Sequence, residues 1–205
     1  MTHDRDGRGI IQWGWAGRAL EQISGDLQVV VAFHGGALVA LIDGLGHGPE
    51  AAAAAAAAAP ILEAHAREPV QSLIQRCHQS IRRTRGVVMT LASFTVRDSS
   101  MRWVGVGNVS GVLLRHRGTP EHRNEALVPR GGVVGYQLPP LRVETLTIAT
   151  GDTVIMATDG IRDAFTAGIA IDNSPQEIAE SILARFARGS DDAHVVAARY
   201  LGGDP

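Results

Sequence analysis

Apolar residues follow two different rhythms along the chain. Leu27–Phe33 and Ala37–Asp43 are nearly continuous runs rich in Val, Leu and Ile, separated only by His34-Gly35-Gly36. Two such runs around a glycine turn predict a β-hairpin. Ile10–Ala16 alternates loosely ahead of it and predicts a further strand, with Trp13 and Trp15 on one side. The rhythm then changes. Pro49 begins an alanine run where its missing N–H does no harm. Ile61, Leu62 and Ala66 extend the expected helix to about Arg67. After Pro69, residues Val70, Leu73, Ile74, Cys77 and Ile81 recur at helical spacing, which assigns Cys77 to the core. Arg82, Arg83 and Arg85 are expected in the last turn, at the negative end of the helix dipole, with Gly86 beyond.

The strand rhythm returns from Val87. Val87–Val96, Arg102–Val106 and Val109–His116 are joined by Arg97-Asp98-Ser99-Ser100 and by Gly107-Asn108, which predicts a meander of hairpins. Arg117–Asn124 is polar and expected to be a loop. Leu141–Ala149 and Thr153–Thr158 predict two strands, split by Thr150-Gly151-Asp152. Pro175–Arg188 predicts a helix with Ser174 as N-cap and Gly189 past its end. Ala193–Tyr200 predicts a final strand. Strands in antiparallel runs, with two helices in the middle and one near the end, do not make the βαβ alternation of a parallel sheet. They point to an α+β sandwich of antiparallel sheets covered by helices.

Composition narrows the function. At 205 residues the chain is long enough for one sizeable core, which places a single domain over 10–201 behind a flexible N-terminus, 1–9. A formal net charge of −2 gives no electrostatic drive toward nucleic acid or an anionic membrane. One cysteine excludes an internal disulfide and suits a reducing compartment. The start is polar, without the apolar core of a signal peptide, and no run reaches the roughly 20 apolar residues of a membrane span. The expected location is the cytoplasm.

Chemistry concentrates at Asp43-Gly44-Leu45-Gly46-His47-Gly48, where an apolar strand delivers an acid into a glycine turn. Other acids stand at comparable junctions. Asp26 enters the first hairpin strand, Asp159 leaves a strand before Gly160, and Asp191 and Asp192 open the last strand. Carboxylates at the same end of neighbouring strands can converge. Such oxygen donors suit Mg²⁺ or Mn²⁺. Two such ions about 3.5–4 Å apart can share a carboxylate and acidify a water toward pKa about 7, which suits phosphate-ester hydrolysis.

At these residues the chain resembles a known family. Ser24-Gly25-Asp26, the Asp43–Gly48 hexapeptide, Gly107-Asn108, Thr158-Asp159-Gly160-Ile161 and Asp191-Asp192-Ala193-His194-Val195-Val196 follow the order seen in PPM-type (type-2C) serine/threonine phosphatases. The SpoIIE-like branch, and within it the RsbX-like phosphatases of the stressosome, is most similar. The resemblance runs from about Ser24 to Tyr200. It implies a four-layer α-β-β-α sandwich, two antiparallel β-sheets flanked by helices, and two divalent cations, Mn²⁺ or Mg²⁺. It implies that Asp43 bridges them, that the Gly44 carbonyl binds one, that Asp159 and Asp191 complete the first site, and that Asp26 contacts the second. Asp191 is preferred to Asp192 because the family's ligand is the first of that pair. Asn108 would lie close to the site. The implied substrates are phosphorylated STAS-domain proteins of the RsbR and RsbS type, whose dephosphorylation resets a stress-signalling switch and recaptures the kinase RsbT. Without the large insertions of other members, the active-site face is expected to be bare and substrate choice to rest on docking.

Competing readings exist for the same residues. Asp43 alone could cap the next helix, and Asp159 before Gly160 could form an Asx-turn. His47 reads as a solvent-facing turn residue, and the resemblance offers Arg18, near the first strand, as a contact for the substrate phosphate. Gly46-His47-Gly48-Pro49-Glu50-Ala51 loosely fits a dinucleotide-binding turn, but Pro49 removes a donor and no parallel strand follows. A phosphatase fold that only binds is the remaining alternative, against which the complete set of Asp43, Asp159 and Asp191 counts.

Overall fold

The computed structural model describes residues 9–116 and 124–203. The expected flexible stretch 1–9, apart from Gly9, and the expected loop at 117–123 lie outside the described residues. The elements, in chain order, are β1 (Ile11–Arg18), β2 (Asp26–Phe33), β3 (Gly36–Gly44), α1 (Pro49–Ala64), α2 (Val70–Ser80), β4 (Val87–Thr95), β5 (Ser100–Val106), β6 (Ser110–Leu114), β7 (Glu125–Ala126), β8 (Glu144–Thr147), β9 (Thr153–Ala157), α3 (Pro175–Phe186) and β10 (Ala193–Tyr200). They form two antiparallel sheets, ordered β2-β3-β4-β5-β8 and β1-β10-β9-β6-β7. Helices α1 and α2 cover the first sheet and α3 covers the second, which gives the expected α-β-β-α layering.

Burial explains the runs of apolar residues. β3 is the second strand of its sheet, with a helix on one face and the other sheet on the opposite face, so both of its faces must be apolar. Leu38, Ala40 and Ile42 pack toward the helices, while Ala37, Val39 and Leu41 join Trp103, Met156 and Val196 between the sheets. In α1 the buried positions Ala51, Ala54, Ala55, Ala58 and Leu62 recur at helical spacing. Their small side chains let the helix axis approach the sheet closely. Helix α3 begins with a capping box: the Glu177 N–H donates to Ser174 Oγ at 3.3 Å, and the Ser174 N–H donates to Glu177 Oε2 at 2.8 Å.

Several expectations need correction. Helix α2 stops at Ser80, and the Ile81 N–H donates to the Cys77 carbonyl at 3.0 Å as the chain turns. Arg82, Arg83 and Arg85 therefore lie beyond the helix, and His78 is the basic residue of its last turn. β4 and β5 form a hairpin, but no meander continues into β6, which belongs to the other sheet. Gly107-Asn108 is the crossing, and a side chain at Gly107 would meet Val88 at 2.1 Å. Of Leu141–Ala149 only Glu144–Thr147 pairs as a strand; Pro139 and Pro140 just before it carry no N–H for a ladder, and Leu141 and Val143 pack against the helix-side core. Helix α1 ends at Ala64 rather than near Arg67, and α3 ends at Phe186 rather than Arg188. The Arg188 N–H donates instead to the Gly160 carbonyl at 2.8 Å. Among the described residues no helix is long and apolar enough to cross a membrane.

Candidate metal centre between the two sheets

Strand parity builds the site. Asp43 continues the Ala37, Val39, Leu41 series that faces the opposite sheet, and Asp26 on β2 is its in-register partner. On the other sheet, β9 runs into Thr158-Asp159-Gly160, and β10 starts just after Asp191-Asp192. These strands are antiparallel neighbours, with Val195 opposite Ala157, so the end of one and the start of the other share an edge. Two carboxylates from each sheet thus meet at one end of the sandwich. Asp43, Asp159 and Asp191 line an open cleft of about 500 Å³, together with Asn108, His47 and the Gly131–Val133 segment. Asp26 sits behind Asp43 and does not line the cleft, and neither does the buried Gly44.

The electrostatics of this cluster are unfavourable without a cation. The Asp43 carboxyl is pushed up to about 8, first by burial and then by the carboxylates of Asp26, Asp159, Asp191 and Asp192. Asp26 is pushed up to about 7, again mainly by burial, against the relief of a hydrogen bond from Thr158 Oγ1 at 2.8 Å. Asp159 is raised by burial and by Asp191, although Asn108 Nδ2 donates to it at 2.7 Å. Among the described residues, none of these acids is held in an ion pair with an arginine or a histidine.

Asp192 has a different task. It is 4% exposed, and its two oxygens accept the N–H groups of Leu20 and Gly25, each at 2.7 Å. The Gly25 carbonyl in turn accepts the Gly44 N–H at 3.1 Å. One carboxylate therefore ties the start of β10 to the segment carrying Asp26 and to the end of β3. The junctions here are tight: a side chain at Gly44 would meet the Ala51 carbonyl oxygen at 2.1 Å, and one at Gly160 the Asp192 carbonyl oxygen at 1.9 Å. The neighbouring acids 191 and 192 are thus divided, one facing the cleft and one bonded into the frame.

The remaining candidates fall into place around this frame. His47 lines the cleft rim, with Nδ1 2.9 Å from Glu21 Oε1, and is exposed. Arg18 is exposed at the end of β1 and does not line the cleft. The glycine turn after β3 leads through α1 and α2 into β4, which is antiparallel to β3, so the geometry of a dinucleotide-binding βαβ unit is absent. Sequence reasoning missed Thr158 as the hydroxyl partner of Asp26, and Arg188, whose Nε donates to the Asp159 carbonyl at 2.9 Å. It also missed the Gly131–Val133 wall, because a glycine doublet far from the acids carries no spacing signal.

The donor set fits hard divalent cations. It consists of carboxylate oxygens with uncompensated charge, and nothing soft lies in the cleft lining. Among the described residues no three acids, histidines or cysteines are drawn into a ready-made cage.

Residues 34–201 match the family model described as stage II sporulation protein E (SpoIIE). The phosphoserine phosphatase RsbX of Bacillus subtilis (strain 168) is 28% identical over 124 residues, 60% of this chain and 60% of that protein; the alignment spans less than two thirds of the relative. A structure described as the bacterial stressosome, a modular system adapted to control secondary messenger signalling, superposes with a TM-score of 0.82 at 29% identity, covering 92% of this chain and 99% of the other. A crystal structure of RsbX in complex with magnesium superposes with a TM-score of 0.81 at 24% identity, covering 96% and 97%. The PP2C phosphatase domain of SpoIIE from Bacillus subtilis gives 0.73 at 22%, covering 97% and 65%. The two-sheet fold is that of PP2C-type phosphatase domains, and with most of its length inside the matching model, the chain belongs to the SpoIIE family.

Proposed function

We propose that this chain is a divalent-metal-dependent phosphoprotein phosphatase that hydrolyses phosphoserine or phosphothreonine. The observation that carries this reading is the convergence of Asp43, Asp159 and Asp191, from both sheets, on one open cleft. Asp43, Asp159 and Asp191 would hold the cations, with the Gly44 carbonyl and Asp26 completing the donor set. Bound there, Mn²⁺ or Mg²⁺ supplies an acidified water and positive charge for a phosphoryl group. The chain's own part is positioning. Asn108 orients Asp159 through its 2.7 Å hydrogen bond, Thr158 orients Asp26, and Asp192 fixes the segments that carry Asp26 and Gly44. The cleft is open, which suits a phosphorylated side chain presented by another protein.

The similarity to RsbX and to the stressosome structure supports a finer reading: the substrates are phosphorylated STAS-domain proteins of the RsbR and RsbS type, in the cytoplasm, and dephosphorylation resets a stress-signalling switch. The test begins with p-nitrophenyl phosphate and a phosphorylated STAS protein in Mn²⁺. Both are expected to be hydrolysed, and EDTA is expected to stop the reaction. Asp43→Asn is expected to lower turnover by about 100-fold or more; full activity in that variant would remove the bridging role. Tight binding of the phosphoprotein without turnover in any metal would favour a binding module instead.

A further inference from the structure

A second concavity, about 770 Å³ in volume, lies beside the acidic cleft and is lined by Arg130, Gly131, Pro139, Pro140, Leu141 and Arg142. The two share Gly131. The ridge between them is Gly131-Gly132, and a side chain at Gly132 would strike Pro139 Cδ at 2.6 Å. A bare backbone thus rests directly on the proline wall, and a side chain at Gly131 would meet nothing within 4 Å. The two hollows have opposite chemistry. The cleft presents carboxylates, whereas the groove presents two exposed guanidinium groups over an apolar floor. Arg142 has a single loose pairing, Nε to Glu144 Oε1 at 3.4 Å, and Arg130 has no carboxylate partner among the described residues. Exposed apolar groups flank the same segment: Val128, 65% exposed, precedes Arg130 by two residues, and Tyr136, 81% exposed, stands on the tight turn closed by Val133 and Gln137.

We propose that this groove docks the phosphoprotein substrate, taking an acidic stretch that flanks the phosphorylated residue and crosses the Gly131-Gly132 ridge. The proposal rests on the phosphatase reading above and names the substrate class. Charge complementarity selects the occupant: arginines over an apolar floor accept Asp or Glu side chains interleaved with apolar ones. An extended peptide advances about 3.3 Å per residue, so the acidic residues lie within a few positions of the phosphoserine. The cleft lining contributes no arginine, whereas the groove contributes Arg130 and Arg142.

The experiment compares kcat/KM for phosphoserine peptides carrying acidic, neutral or lysine flanks, on either side of the phosphoserine, with p-nitrophenyl phosphate as the reference. Acidic flanks on one side are expected to raise kcat/KM about tenfold over neutral ones, with the advantage shrinking at high salt. In Arg130→Glu/Arg142→Glu the advantage is expected to vanish and the lysine-flanked peptide to become the better substrate. Hydrolysis of p-nitrophenyl phosphate is expected to stay at the parent level. The main-chain bonds of Arg130, from its N–H to the Gly105 carbonyl and from the Gly107 N–H to its own carbonyl, do not depend on its side chain. Equal kcat/KM across the peptides, or an unchanged preference in the double variant, overturns the groove while p-nitrophenyl phosphate turnover upholds the phosphatase. Absence of all turnover in the parent protein overturns both.

Discussion

Asp191 and Asp192 are adjacent in sequence and opposite in circumstance. Asp191 faces the cleft, and Asp192 spends both oxygens on the N–H groups of Leu20 and Gly25. Asp192→Ala is expected to destabilise the fold by about 2–4 kcal/mol, because a buried donor, the Gly25 N–H, and a part-buried one, the Leu20 N–H, lose their charged partner, and to lower the melting temperature in a thermal scan. Asp191→Ala gives up one bond, from the Asp192 N–H at 2.9 Å, but relieves repulsion on Asp43 and Asp159, so it should spare the melting temperature of the metal-free protein far more than Asp192→Ala does while abolishing turnover. His194 offers a test by pH. Burial pulls its pKa down from 6.5 to about 4, its Nε2 finds no partner among the described residues, and its ring stacks on Trp15 at 5.0 Å. The unfolded chain takes up the proton near its ordinary pKa, whereas the folded one resists it. The resulting stability is complete above pH 6.5 and is lost as pH falls toward 4, by about 3 kcal/mol. Urea unfolding of wild type and His194→Phe across that range should show wild type losing stability relative to the variant. The raised carboxyls of Asp26 and Asp43 act in the opposite sense, but in both proteins alike, so the difference isolates His194.

At the scale of elements, the junction of β3 and α1 is the most exacting. Gly44→Ala would drive a methyl group to 2.1 Å from the Ala51 carbonyl oxygen. The helix must then lift from the strand, and the variant is expected to lose about 2–4 kcal/mol together with its activity, read by denaturant unfolding and phosphatase assay. Elements were legible in the sequence where one local rule decided them. The continuous apolar run of β3, the helical stripe Val70–Cys77 and the Ser174 cap all read directly into structure. The rest depended on partners remote in sequence. Nothing local distinguishes Gly107-Asn108 as a hairpin turn from a crossing between sheets; the choice depends on whether β6 pairs with β5 or β9. Asp26, Asp43, Asp159 and Asp191 were legible because each stands at a strand end, and strand ends gather at an edge. Thr158 and Asp192 were not, because a hydroxyl or a carboxylate in a turn acquires its role only from the segment packed against it.

Across the whole molecule, burying like charges at the junction of two sheets stores repulsion that a cation relieves. Mn²⁺ at about one hundred times its dissociation constant should stabilise the fold by about 2.7 kcal/mol. In a chain of this size that raises the melting temperature by about 5–10 °C. EDTA should reverse the shift, and Asp43→Asn should show little of it. The measurement does not depend on turnover, so it separates metal binding from catalysis. The division of the acids between sheets has one more consequence. Asp43 stands on β3, whereas Asp159 and Asp191 are supplied much later in the chain, beside β9 and β10. A nascent chain would therefore present Asp26 and Asp43 without either acid of the other sheet until β9 and β10 have been made. If these acids hold the proposed cations, a chain interrupted before β9 would lack Asp159 and Asp191 and with them the centre.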